Sequence, residues 1–154
     1  MSTHEATISW KREVEPFTYD TYNRGHDWTF GGGAKIRASA APEFRGDPGS
    51  VNPEEALVAA LSSCHMLTFL ALAARRKLVV ESYDDHAAGV LEKNAEGRLA
   101  ITRVVLRPRV VFGGAEKPDH AALVALHEHA HKGCFIASSV KTEVTVEPRE
   151  DDRA

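Results

Sequence analysis

Two thiols, Cys64 and Cys134, are the only cysteines in this 154-residue chain. Such a pair can be two inert core residues, a redox couple or two ligands of a metal ion. The N-terminus, MSTHEATISWKREVE, carries no apolar stretch of the secretory kind, so the chain reads as cytoplasmic and a stapling disulfide is not the default. A thiol becomes a nucleophile only as its thiolate, and apolar burial by itself disfavours that form. Cys64 falls in the middle of an apolar segment, where no helix N-terminus can help it. Its neighbour His65 points about 100° away on a helix. A cation would have to arrive from elsewhere, with an arginine of the N-terminal loops as the source. On burial alone the better reading of Cys64 is an inert core residue.

A second constellation is His127-Glu128-His129-Ala130-His131, which matches HExxH. On a helix His127 and His131 lie one turn apart and could hold zinc, with Glu128 as a base and Cys134 as a further ligand. The chain has 8 histidines, four of them between positions 120 and 131, so a chance match is easy. The expectation is a solvated helix face with no metal, and a zinc hydrolase using His127 and His131 is the lesser reading.

The elements that must position these groups follow from pattern. Ala6–Trp10, Trp28–Phe30 and Ala34–Arg37 are strand-like, and Gly31-Gly32-Gly33 marks a hairpin between the last two. Residues 40–51, with Pro42, Gly46, Pro48 and Gly49, form a loop. Asn52 caps a helix, Pro53 suits its first position, and Glu54 and Glu55 suit the positive end of its dipole. The helix runs to Arg75-Arg76-Lys77. Ala56 to Ala74 holds no charge when His65 is neutral. That length approaches the ~20 residues of a membrane span, but Ser62, Ser63, Cys64, His65 and Thr68 sit in its middle. A helix apolar nearly all round must be buried in protein, and a chain this short needs a partner chain to surround it.

Val79–Tyr83 and Gly89–Leu91 are strands, followed by a turn at Asn94–Gly97. Leu99–Phe112 reads as one long strand with an edge or bulge at Pro108. Asp119 opens a second helix that ends before Gly133-Cys134. Val140–Val146 alternates as a closing strand, and residues 145–154 give its end and a polar tail. Apolar residues make up 43%, charged residues 27%, and the net charge is -3. This is a soluble balance with no Lys/Arg block, so nucleic acid and membrane are not expected partners. The order of elements predicts an α+β fold in one domain, 1–154, with a long buried central helix and antiparallel sheets.

Val51-Asn52-Pro53-Glu54-Glu55 followed by Ser62-Ser63-Cys64 resembles the peroxidatic segment of the OsmC/Ohr family. Ala130-His131-Lys132-Gly133-Cys134 is similar to the family's second cysteine segment, at nearly its spacing. The likeness runs from about residue 45 to 147. The Ser-Cys-His-Met stretch resembles a divergent branch. The resemblance implies an intertwined homodimer with active sites at the interface and a thiol-dependent reduction of organic hydroperoxides, or of hydrogen peroxide, with no bound cofactor. It implies Cys64 as the peroxidatic thiol, Cys134 as the resolving thiol and Glu54 as the acidic partner of an active-site arginine. Arg24 matches the early-loop position of Ohr-type members. Arg45 lies near the position used by members closer to OsmC. An external dithiol, such as a dihydrolipoyl group, is the implied reductant. The alternative is a non-catalytic module of the same fold that binds a hydrophobic ligand or a metal.

One geometric point stands apart from the resemblance. Glu54 and Cys64 are ten residues apart on one helix, hence about 15 Å along its axis. An arginine paired with Glu54 cannot readily touch Cys64 of the same straight helix, which favours a site made from two chains.

Overall fold

Asn52 ends the N-terminal third of the chain with a reciprocal helix cap. Its side-chain oxygen accepts from the Glu55 N–H at 2.8 Å, and its own N–H donates to the Glu55 carboxylate at 3.4 Å. The helix that follows, α1, spans Pro53–Arg75, as the capping pattern predicts. The computed structural model describes residues 1–149; the last part of the expected polar tail lies outside them. The chain clusters into two compact units, with the boundary after Ala56, inside α1.

The first unit is a three-stranded antiparallel sheet, β1 (Ala6–Ser9), β2 (His26–Phe30) and β3 (Lys35–Ala38), with β2 central. Ile8, Trp28 and Ile36 stand in register across it. Gly33 takes a φ of 83° in the β2–β3 hairpin, a conformation that favours glycine. The loop after β1 is tied by Asn23, whose carbonyl accepts from the Trp10 indole N–H at 2.7 Å and whose amide donates to the Lys11 carbonyl at 2.9 Å. Gly46 is required by packing, because a Cβ there would fall 1.5 Å from the Ala40 carbonyl oxygen. Asp47 closes the next turn through the Gly49 N–H and the Ser50 hydroxyl.

The second unit holds two sheets and the rest of α1. Strands β4 (Val79–Asp85) and β7 (Pro108–Gly113) pair antiparallel, while β5 (Ala88–Lys93), β6 (Leu99–Leu106) and β8 (Glu143–Val146) form a three-stranded sheet. The segment 99–112 is thus two strands in two sheets, not one long strand. The Arg107 N–H at the break donates to the Asp85 carboxylate at 2.6 Å, and Pro108, which lacks a ladder donor, starts the new strand. The β6–β8 pair is parallel, because the connection between them passes through a helix, α2 (His120–Lys132). Asp119 caps α2 by accepting from the Ala122 N–H, and Gly133 ends it.

Within this unit α1 buries one stripe: Leu61, His65, Phe69 and Ala73, four residues apart. Phe69 and Ala73 pack with Val110, Leu126 and Ala130. Leu61 packs with Val104 and Leu106 of β6. The face that carries Ala60, Leu67 and Ala71 remains open, with Leu67 60% exposed. By length and composition α1 could cross a membrane, yet its Ser62 hydroxyl donates to Asp85 and its His65 is engaged in the core.

Candidate active site

Cys64 and Cys134 come together in the second unit. Cys134 follows the Gly133 cap of α2, and its N–H donates to the His131 carbonyl at 3.2 Å. This turn brings Cys134, only 1% exposed, beside the half-buried Cys64. Burial pushes the Cys64 thiol up. The Ile136 N–H, the Cys134 thiol and the Phe135 N–H outweigh it, so its pKa sits below that of an ordinary thiol. Thr68, whose hydroxyl donates to the Cys64 carbonyl at 2.9 Å, adds least. Cys134 moves the other way. Burial raises it, the Ala137 N–H at 3.5 Å opposes that, and the adjacent Cys64 raises it further. The pair therefore holds its protons unequally: Cys64 gives up its proton more readily than Cys134. These neutral donors were not anticipated. The sequence signal for them is the end of α2 at Gly133, just before Cys134.

Beside Cys64 lies a cavity of about 700 Å³. Its wall is Ala60, Leu67, Ala71, Leu72, Phe135 and Ile136, with Ser63, Cys64, Thr68, Arg75 and His129 as the polar groups. A pocket this apolar, with one ionisable thiol in its wall, suits a greasy molecule that presents one reactive polar group.

The remaining expected residues belong to the first unit. Arg24 donates through Nη1 to the Tyr22 carbonyl at 2.6 Å and through Nη2 to the Tyr19 carbonyl. Its guanidinium lies 3.8 Å from the centroid of the Tyr22 ring and 5.3 Å from that of Tyr19. Its Nε is buried and has no partner among the described residues. Arg45 is an exposed ion pair with Asp20 at 2.7 Å. Glu54 bonds to neither arginine among the described residues, and its Oε2 is buried without a partner.

The histidine motif departs from expectation. His127 is not on a solvated face: it is 2% exposed and stacks on Phe69 with ring centroids 4.3 Å apart. Its Nδ1 lies 3.0 Å from Nε2 of His65, which is equally buried, and the two rings are nearly parallel. Counting every histidine as polar missed this, although His65 falls on the four-residue stripe of α1. Burial is the main cause that holds both imidazoles down near a pKa of about 4. Among the described residues no three His, Cys, Asp or Glu side chains gather where one metal ion could hold them. The third ligand that a catalytic HExxH zinc site requires is therefore not assembled.

The family model of the OsmC-like proteins matches residues 46–149. An uncharacterized protein of Bacillus subtilis, YmaD, is 26% identical over 127 residues, covering 81% of this chain and 84% of that one. A solved OsmC-like protein of unknown function from Vibrio cholerae is 51% identical, covers 97% of this chain and 100% of its own, and superposes with a TM-score of 0.94. The organic hydroperoxide resistance protein OhrB of Bacillus subtilis shares the fold at a TM-score of 0.67 and 16% identity, over 97% of this chain and 98% of its own. The match to the family model covers both cysteines and Glu54, and leaves Arg24 and Arg45 outside. This α+β chain belongs to the OsmC-like family.

Proposed function

We propose that this protein is a cysteine-based peroxidase that reduces organic hydroperoxides. The observation that carries the reading is the thiol pair: a Cys64 that gives up its proton readily, beside a Cys134 that does so less readily, in the wall of an apolar cavity. The Cys64 thiolate attacks the distal oxygen of ROOH. The O–O bond breaks, the alkoxide leaves and takes up a proton as ROH, and Cys64 becomes a sulfenic acid. Cys134 then displaces its hydroxyl, releasing water and forming the Cys64–Cys134 disulfide. An external dithiol, of the dihydrolipoyl kind, restores both thiols and leaves as its own disulfide. The working dithiol state suits a reducing compartment such as the cytoplasm.

Two chains per functional unit are part of this reading. Only 22% of the most apolar window of α1 is buried within the single chain, and a helix apolar nearly all round needs cover. Ser62, Ser63 and Cys64 on that helix favour a protein partner over lipid. Arg24, whose Nε is buried without a partner among the described residues, and Glu54, whose Oε2 is likewise, are the groups we assign to the peroxide site at the interface. Arg45, already paired with Asp20, is the weaker candidate. No bound cofactor enters this scheme.

The test is a thiol titration. Two free thiols per chain should disappear when one equivalent of cumene hydroperoxide is added, with cumyl alcohol as product. A chain that binds the hydroperoxide with both thiols intact is instead a hydrophobic-ligand module, the second reading that the 700 Å³ cavity supports.

A further inference from the structure

On the second unit, α2 also lines a smaller cavity, of about 170 Å³. It shares no residue with the cavity beside Cys64. His127, Glu128 and His131 line it from α2, facing Val124, Val144 and Val146. Two buried nitrogens of this wall, His127 Nε2 and His131 Nδ1, have no hydrogen-bond partner among the described residues. Burying such an atom unpaired costs about 1–3 kcal/mol. No lysine or arginine lines the cavity, and Glu128 is its one carboxylate, so the wall suits a cation and not an anion.

We propose that His127 and His131 form a two-histidine site for a divalent transition-metal ion of the Zn²⁺ type, completed by water. Residues four apart on a helix share a face, the spacing that lets two imidazoles reach one ion. Metal at His127 Nε2 requires the ring proton on Nδ1. There it can donate to His65 Nε2, 3.0 Å away, which is the way an outer residue fixes the tautomer and the orientation of a ligating imidazole. His127 has little freedom to turn away, because its ring is stacked on Phe69 and parallel to His65. Only two protein nitrogens are committed, and Glu128 is exposed. The ion is therefore exchangeable, unlike the closed structural sites that hold four protein ligands. His131 lies one turn before Cys134, whose N–H donates to its carbonyl, so occupation would brace the turn that carries the second thiol.

The experiment is a Zn²⁺ titration by calorimetry of the full chain, in a Cys64→Ser/Cys134→Ser background so that thiolates cannot compete for the ion. One ion per chain should bind, and His131→Gln should weaken it by at least about tenfold, since even outer-shell changes cost 10–100-fold in metal affinity. His131 is only partly buried, so this variant should fold, which far-UV circular dichroism checks. His120→Gln, on the same helix but away from the cavity, should bind as the parent does. Histidine side-chain NMR signals give a second reading: those of His127 and His131 should shift with Zn²⁺ while that of His4 stays. Absence of binding up to millimolar Zn²⁺, equal affinity in His131→Gln, or shifts confined to other histidines would each overturn the site.

Discussion

Acid should unfold this protein through a pair of imidazoles. His65 and His127 are 1% and 2% exposed, and their facing nitrogens are 3.0 Å apart. Burial is the first cause that holds His65 near a pKa of about 4, with His131 lowering it further and Asp85 opposing. Burial again, with His65 beside it, holds His127 near about 4. In the unfolded chain both return to about 6.5. Between pH 6.5 and 4 the unfolded state therefore binds protons that the folded state refuses, so stability is complete above 6.5 and falls as pH drops through that window. For one such histidine the loss at pH 5 is about 2 kcal/mol. That is a large share of the 5–15 kcal/mol typical of a folded domain. Urea denaturation, followed by circular dichroism at pH 7.5, 6.5, 5.5 and 5.0 and fixed protein concentration, reads it as a falling midpoint. At about 1–3 kcal/mol per molar urea, the midpoint should drop by roughly 1 M. The His65→Gln/His127→Gln double variant should start lower at pH 7.5, having lost the stacked pair, but should fall much less with acid. Equal slopes in variant and parent would refute the argument, and would place the acid sensitivity on carboxylates.

Three further outcomes follow from the thiol site. Cys64→Ser, nearly isosteric and half-buried, should abolish hydroperoxide consumption with an unchanged circular dichroism spectrum; turnover in that variant would sink the mechanism. Cys134→Ser should still attack once, accumulate sulfenic acid at Cys64 by mass spectrometry and overoxidise under excess peroxide, whereas normal cycling with a dithiol would remove Cys134 from the scheme. Arg24→Ala should slow the reaction with cumene hydroperoxide by roughly 10²–10³-fold, the range for loss of one preorganised donor, while moving the pH midpoint of Cys64 alkylation much less. Arg45→Ala should do less on both counts, and the reverse ranking would transfer the role to Arg45.

Local signals were the legible ones. Asn52 with Glu55, Pro53, Asp119, Gly133 and the Gly31–Gly33 turn each state a boundary through a backbone need met within a few residues, and each holds in the fold. The partition of strands into sheets was not legible. Leu99–Phe112 looks continuous because alternation reports which face a residue takes, and says nothing of which sheet it joins. The break depends on Asp85, more than twenty residues away, reaching the Arg107 N–H. The parallel pairing of β8 with β6 is likewise set by the path of α2. His65 and His127 escaped for a related reason. A lone buried imidazole is costly, so each reads as a surface group until the other is known to stand beside it. Cys64 was legible as a candidate nucleophile only through its motif, since the donors that lower its pKa belong to residues 134–136, seventy positions on.

Those donors divide the work of the proposed site. The sequence seemed to require a cation to make Cys64 nucleophilic. The Ile136 and Phe135 N–H groups and the Cys134 thiol already favour its thiolate without one. In the proposed mechanism an arginine would then have a different task, that of holding the peroxide and receiving the charge that develops on the departing oxygen. In that scheme Arg24 is the candidate: two of its nitrogens are fixed by backbone carbonyls, its guanidinium lies against Tyr22, and its Nε is buried without a partner among the described residues. The Oε2 of Glu54 is buried in the same way. In the proposed dimer each of these atoms would be completed across the interface. That arrangement also answers the ~15 Å between Glu54 and Cys64 along α1. A dimer would then supply the arginine to a thiolate that each chain prepares for itself, and peroxide reduction would depend on assembly while thiol reactivity towards a simple alkylating agent would not.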